Sequence, residues 1–170
     1  ILEMNRKYGF MKFIIVVPSI AIKEGVVKTL EMTRQYFKTQ MQGQVYRSFM
    51  YDSSKLNDVQ AFATSDDVEI MVINIQAFSK SSKNNDNMNI TYRNDMDALY
   101  GIAPIELIAE TNPIVIIDEP QSVDNTENAQ AAIAALNPLV TFRFSATHKN
   151  KSYPLIYKLG PVEAYQQKLV

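Results

Sequence analysis

The stretch Val115-Ile116-Ile117-Asp118-Glu119-Pro120-Gln121 carries the decisive signal in this chain: an apolar run that stops at two adjacent carboxylates. A short unbroken run of branched apolar residues is what a strand buried on both faces needs, as central strands of parallel sheets are. Asp118 and Glu119 then stand at the C-terminal tip of that strand, the end where open α/β sheets meet their ligands. Side chains alternate across a strand, so the two carboxylates point different ways and can divide their work, one holding a cation through water and the other serving as base. The competing account is structural, in which Asp-Glu ends a strand and caps the next segment.

Working outward, three more apolar runs occur, at residues 13–17, 68–75 and 139–144. Each ends in a polar cluster: Pro18-Ser19, Asn74 to Phe78, and Ser145 to His148. Strands that run the same way present their C-terminal tips together, so the repetition predicts an α/β fold, a parallel sheet with one functional edge. Helical patterns fill the intervals. Ser19 is placed to cap a helix over 20–37, where Ile22, Val26, Leu30, Thr33 and Phe37 recur on one face. Residues 1–8, closed by Gly9, read as the last turns of another helix. Residues 104–109 form a short helix, and residues 127–136, stopped by Asn137-Pro138, a longer one with Asn125 as its cap. Residues 79–97 are dense in Ser, Asn, Asp and Lys and read as a mobile surface loop, either a tolerated insertion or a loop that orders on a partner. The tail from Ser152 onward holds Pro154, Gly160 and Pro161 among apolar residues that are expected to pack down.

Composition narrows the functions available. With 46% hydrophobic residues among 170, the chain can bury one sizeable core as a single domain. A net charge of −1 provides no basic field, so any contact with nucleic acid must come from local amides and a few side chains. Cysteine is absent, which removes disulfides and Cys-based zinc sites and fits a reducing, cytoplasmic setting. A single histidine, His148, argues against a histidine-built metal site or a Ser-His-Asp triad, and it reads as a surface loop residue. No apolar stretch is long enough to span a bilayer, so no membrane partner is expected. The first residue is Ile1, and the chain is expected to be a piece of something longer.

These motifs carry a resemblance. Asp118-Glu119-Pro120-Gln121 resembles the Walker B motif of the DEAD-like superfamily 2 helicases and translocases, and Ser145-Ala146-Thr147 resembles their motif III. Residues 13–26, with Pro18-Ser19 and then Ala21-Ile22-Lys23-Glu24-Gly25-Val26, resemble motif Ia of the restriction subunit of type III restriction-modification enzymes. Asn74-Ile75-Gln76-Ala77-Phe78 is similar to the next strand in that family, and Thr111-Asn112-Pro113 and Tyr157-Lys158-Leu159-Gly160-Pro161 narrow the likeness further. The resemblance covers nearly the whole chain. It implies a three-layer RecA-like ATP-binding domain over residues 1–150, incomplete at its N-terminus, and a connection toward a second motor domain over 151–170. By the same likeness the cofactors are ATP and Mg²⁺, with Asp118 holding the Mg²⁺ through water and Glu119 orienting or deprotonating the attacking water. Gln121 faces the second motor domain, while Ser145 and Thr147 couple hydrolysis to DNA movement. Pro18, Ser19, Lys23, Asn74, Gln76 and Phe78 touch double-stranded DNA, and a modification (methyltransferase) subunit is the protein partner. Each assignment has a plainer counterpart: Thr147 capping a turn, Phe78 in the core, Lys23 solvated.

One departure from the family pattern matters. No Gly-x-x-x-x-Gly-Lys loop occurs, and none of the five glycines precedes Lys-Ser or Lys-Thr. The family's phosphate loop lies just before the helix that residues 1–8 finish, so truncation downstream of it is expected, and with it a chain that does not turn over ATP alone. Two other readings stay open. One is a non-catalytic α/β binding or scaffold module. The other is a carboxylate enzyme acting on a metal-bound sugar phosphate, which needs further acidic ligands at neighbouring strand tips.

Overall fold

Among the described residues five strands form, one more than the apolar runs predict: β1 (Lys12–Val17), β2 (Tyr46–Met50), β3 (Val68–Asn74), β4 (Ile114–Asp118) and β5 (Val140–Phe144). The structure, a computed structural model, describes residues 1–41, 43–78, 90–93, 99, 101–146 and 153–169. All strand pairings are parallel, in the order β2-β3-β1-β4-β5. β2 escapes a reading by hydrophobic runs because it is an edge strand carrying Arg47 and Ser48. Arg47 is there for a reason found only in the folded chain: its Nε donates to the buried Glu69 carboxylate at 2.8 Å and its guanidinium pairs with Asp58 at 3.0 Å.

The helices are α1 (Leu2–Tyr8), α2 (Ile20–Gln40), α3 (Leu56–Thr64), α4 (Pro104–Glu110), α5 (Pro120–Val123), α6 (Glu127–Ala135) and α7 (Pro161–Gln166). Their boundaries come from local chemistry. Gly9 closes α1 in the left-handed region (φ 75°), its N–H donating to Asn5 O at 2.7 Å. Ser19 Oγ accepts from Ile22 N at 3.3 Å and starts α2. The cap of α6 is Thr126, whose Oγ1 accepts from Ala129 N at 3.2 Å, rather than Asn125. The hydroxyl one residue later has the geometry to reach the third amide of the helix, which a cap must do.

Side chains of the sheet alternate into two cores. On one face Ile14, Val16, Met71, Ile73, Val115 and Ile117 pack with α3, α4 and α6. On the other Phe13, Val17, Ile70, Val72 and Ile114 lie under α1 and α2. The result is a three-layer α/β sandwich, as expected for a RecA-like domain, with every strand tip on one edge.

The loop read over 79–97 lies largely outside the described residues; within it, Thr91 is fully buried and Tyr92 donates its hydroxyl to Phe78 O at 2.6 Å. The tail does not pack down: Leu155, Ile156, Tyr157, Val162, Tyr165 and Leu169 are exposed, Ile156 at 84%. Burial needs a facing surface as well as apolar side chains, and no described element covers them. Among the described residues, no helix is long and apolar enough to cross a membrane.

Candidate functional site at the carboxylate edge

Asp118 is the last residue of β4, exposed at the tip and in register with Phe144 of β5. Glu119 then turns sharply, with φ 51° and ψ 62°. A left-handed conformation at a residue with a long side chain costs on the order of 1 kcal/mol and persists where the surroundings hold it. Here the Glu119 N–H donates across to Phe144 O at 3.0 Å, and Pro120 supplies the preset φ that starts the single-turn α5. The turn places Glu119 just beyond the strand, with its backbone left-handed.

The carboxylate is then tied to the neighbouring strand. Gln121 Nε2 donates to Glu119 Oε2, and Ser145 Oγ donates to Gln121 Oε1 at 2.8 Å. Glu119, Gln121 and Ser145 thus form one hydrogen-bonded chain from the tip of β4 to the tip of β5. Thr147 lies outside the described residues.

β1 lies between β3 and β4, so Pro18-Ser19 separates Asn74 from Asp118 along the edge. Ser19 caps α2. Lys23, one turn in, donates to Tyr51 O at 3.2 Å at the tip of β2, so it is a tethered cation rather than a freely solvated one. Asn74 Oδ1 accepts from Ala77 N at 3.2 Å and closes the turn at residues 75–78. Gln76 is exposed. Phe78 must be corrected: its ring is fully buried, 4.6 Å from the Tyr51 ring between centroids, and belongs to the core rather than to a DNA-facing surface. The short turn after β3 points that side chain inward, where an apolar ring gains most.

A cleft of about 430 Å³ opens on this edge, lined by Lys23, Met50, Tyr51, Asp52, Ser53 and Ala77. A larger one, about 710 Å³, is lined by residues such as Gly9, Lys12, Ser65 and Asn112, at the edge where the strands begin. Size does not make it the site, because Asp118, Glu119 and the polar tips are at the other edge. Among the described residues no three acidic or histidine groups cluster to hold a metal. A lone exposed carboxylate still fits Mg²⁺, which commonly takes one or two protein carboxylates with waters and phosphate oxygens.

Residues that sequence reading passed over stand just beneath. Asp124, at the end of α5, is buried, and its Oδ2 accepts from Arg143 Nε at 2.7 Å. The Tyr153 ring lies against the same guanidinium, 3.6 Å from its carbon to the ring centroid. Partial burial raises the Tyr153 phenol above its ordinary pKa; Arg143 opposes that rise and Asp124 adds to it. The available signal was Arg143 itself, a cation inside an otherwise apolar strand, which has to find a partner.

A family model described as "Type III restriction enzyme, res subunit" matches residues 1–150. The chain belongs to that family. It is similar to the Type III restriction-modification enzyme EcoPI Res subunit of Escherichia phage P1, 23% identical over 182 residues that cover 100% of this chain and 19% of the relative. It is also similar to the StyLTI Res subunit of Salmonella typhimurium, 31% identical over 163 residues, covering 85% of this chain and 16% of the relative. The chain therefore spans a small part of the length of these res subunits. Family membership makes it a helicase-like restriction subunit segment with a RecA-like α/β fold.

Proposed function

We propose that this chain is the greater part of the first motor domain of an ATP-dependent DNA translocase serving a type III restriction endonuclease. Residues 1–150 contribute the motor and 151–170 the connection toward a second motor domain. The observation that carries the reading is the chain Glu119–Gln121–Ser145, which ties a strained carboxylate on one strand tip to a hydroxyl on the next. In this reading Glu119 orients the attacking water and accepts its proton, and Asp118 holds Mg²⁺ through water. The metal supplies charge neutralisation on the phosphates when bound. Ser145 and Gln121 report the state of the site to neighbouring segments, because a hydroxyl and an amide can exchange partners between states. Thr147 shares that role.

DNA is met by the row of tips, where Pro18, Ser19, Lys23, Asn74 and Gln76 offer amides, small polar groups and one cation to phosphates. A modification subunit provides recognition of the DNA sequence, and the protein works in the cytoplasm. The phosphate-binding loop has to come from residues other than these 170, so the isolated chain is inactive. Both sides of β4 are occupied, by β1 and β5. Among the described strands β5 has one edge free, and that edge is the position from which a further parallel strand delivers that loop nearest Asp118, about 10 Å away at ordinary strand spacing.

The test is ATP hydrolysis by the natural-length protein with its modification partner, with and without double-stranded DNA. DNA should raise turnover, and Glu119→Gln should lower it by at least about a hundredfold, the scale of a lost general base. An absence of DNA-stimulated turnover in the well-folded wild type overturns the motor reading in favour of a binding module.

A further inference from the structure

α5 and β5 are joined twice. Gln121 lies in α5 and Asp124 caps its C-terminus three residues on, while Arg143 lies in β5 and Ser145 stands just beyond its end, two residues on. The outer rung is the Ser145–Gln121 hydrogen bond, which leads on to Glu119. The inner rung is the Asp124–Arg143 ion pair, in which the Asp124 side chain is 1% exposed. Asp124 Oδ1 has no hydrogen-bond partner among the described residues, so Arg143 is what compensates this carboxylate. Strand and turn therefore move as a unit, because separating them leaves a buried charge uncompensated.

Tyr153 stacks on the same guanidinium. It begins the segment 153–169, whose apolar side chains are exposed and whose placement is therefore set by whatever covers them. The Tyr153 ring is the contact of that segment with Arg143, which stands in β5 two residues before Ser145.

We propose that Tyr153 and Arg143 are positioning residues through which the segment leaving the sheet controls the Glu119–Gln121–Ser145 chain and so regulates DNA-stimulated hydrolysis. This regulation rests on the motor reading above. The ring face of Tyr153 carries the coupling, and a flat guanidinium is needed to serve carboxylate and ring at once, which an ammonium does not do.

The experiment uses the natural-length protein with its modification partner, following steady-state hydrolysis against ATP and double-stranded DNA. Tyr153→Ala should leave the DNA-free rate and the KM for ATP as in wild type and lower the DNA-stimulated kcat by about tenfold, a usual size for coupling between sites. Tyr153→Phe should behave as wild type. Arg143→Lys should resemble Tyr153→Ala, and combining the two should add little, as expected for one path. Full stimulation in Tyr153→Ala overturns the proposal, as does a loss in Tyr153→Phe equal to that in Tyr153→Ala. If the wild type shows no DNA stimulation, the motor reading fails and the positioning role is decided by amide hydrogen exchange. Faster exchange over residues 119–124 in Tyr153→Ala than in wild type supports the link, and unchanged exchange overturns it.

Discussion

Glu119 combines a left-handed backbone with the position expected of the catalytic base. Of the described non-glycine residues with positive φ, Asn112 and Asn137 are of the type that tolerates it, whereas Glu119, like Lys168 near the end of the chain, has no such excuse in its side chain. The strain is local and should be measurable. Glu119→Gly, examined by urea unfolding, should gain up to about 1 kcal/mol, since glycine accepts φ 51° without steric cost while raising unfolded-state entropy. A loss of stability would show that the carboxylate's bond to Gln121 outweighs the strain. Sequence made the place of Asp118 and Glu119 at a strand tip legible because two charges closing an apolar run are conspicuous. It left Asp124 unread, because a lone Asp after a short polar turn looks like any surface residue until Arg143 is found 2.7 Å away.

At the scale of elements, the turn after β3 separates two roles that are adjacent in sequence. Gln76 faces outward, while Phe78 fills the space beside Tyr51, with Tyr92 bonded to its carbonyl. Phe78→Ala should cost about 3–5 kcal/mol in thermal or urea unfolding, the usual penalty for emptying a buried ring site. Gln76→Ala should stay within about 0.5 kcal/mol of wild type. Equal costs would mean that the turn is held by its backbone rather than by the ring. The helix read over 20–37 was legible from its Ser19 cap and its periodicity, and the one read over 127–136 from its stop at Asn137-Pro138, although its cap is Thr126 rather than Asn125, whereas β2 and α3 were not legible. β2 is stabilised by an Arg47–Glu69 pair between residues 22 positions apart, and no local pattern records such a contact.

For the molecule as a whole, burial falls steeply across the sheet. β3, β1 and β4 form a core of nearly inaccessible side chains, and β5 is half-exposed throughout, with Phe144 at 59%. In amide hydrogen exchange the β1 amides should be protected by several orders of magnitude more than those of β5, because β5 opens without disrupting the two cores. Comparable protection would place β5 in the main cooperative unit. The sequence by itself determined the layered α/β class, the common edge of polar tips and the carboxylates on it, since these arise from runs, breaks and caps that operate over a few residues. Only the tertiary structure decided that Glu119 is strained and bonded through Gln121 to Ser145, that Phe78 is core, that the tail is uncovered, and that Asp124, Arg143 and Tyr153 meet. Those outcomes depend on which distant side chains the sheet order brings within a few ångströms, and that order is a property of the packed chain rather than of any segment in it.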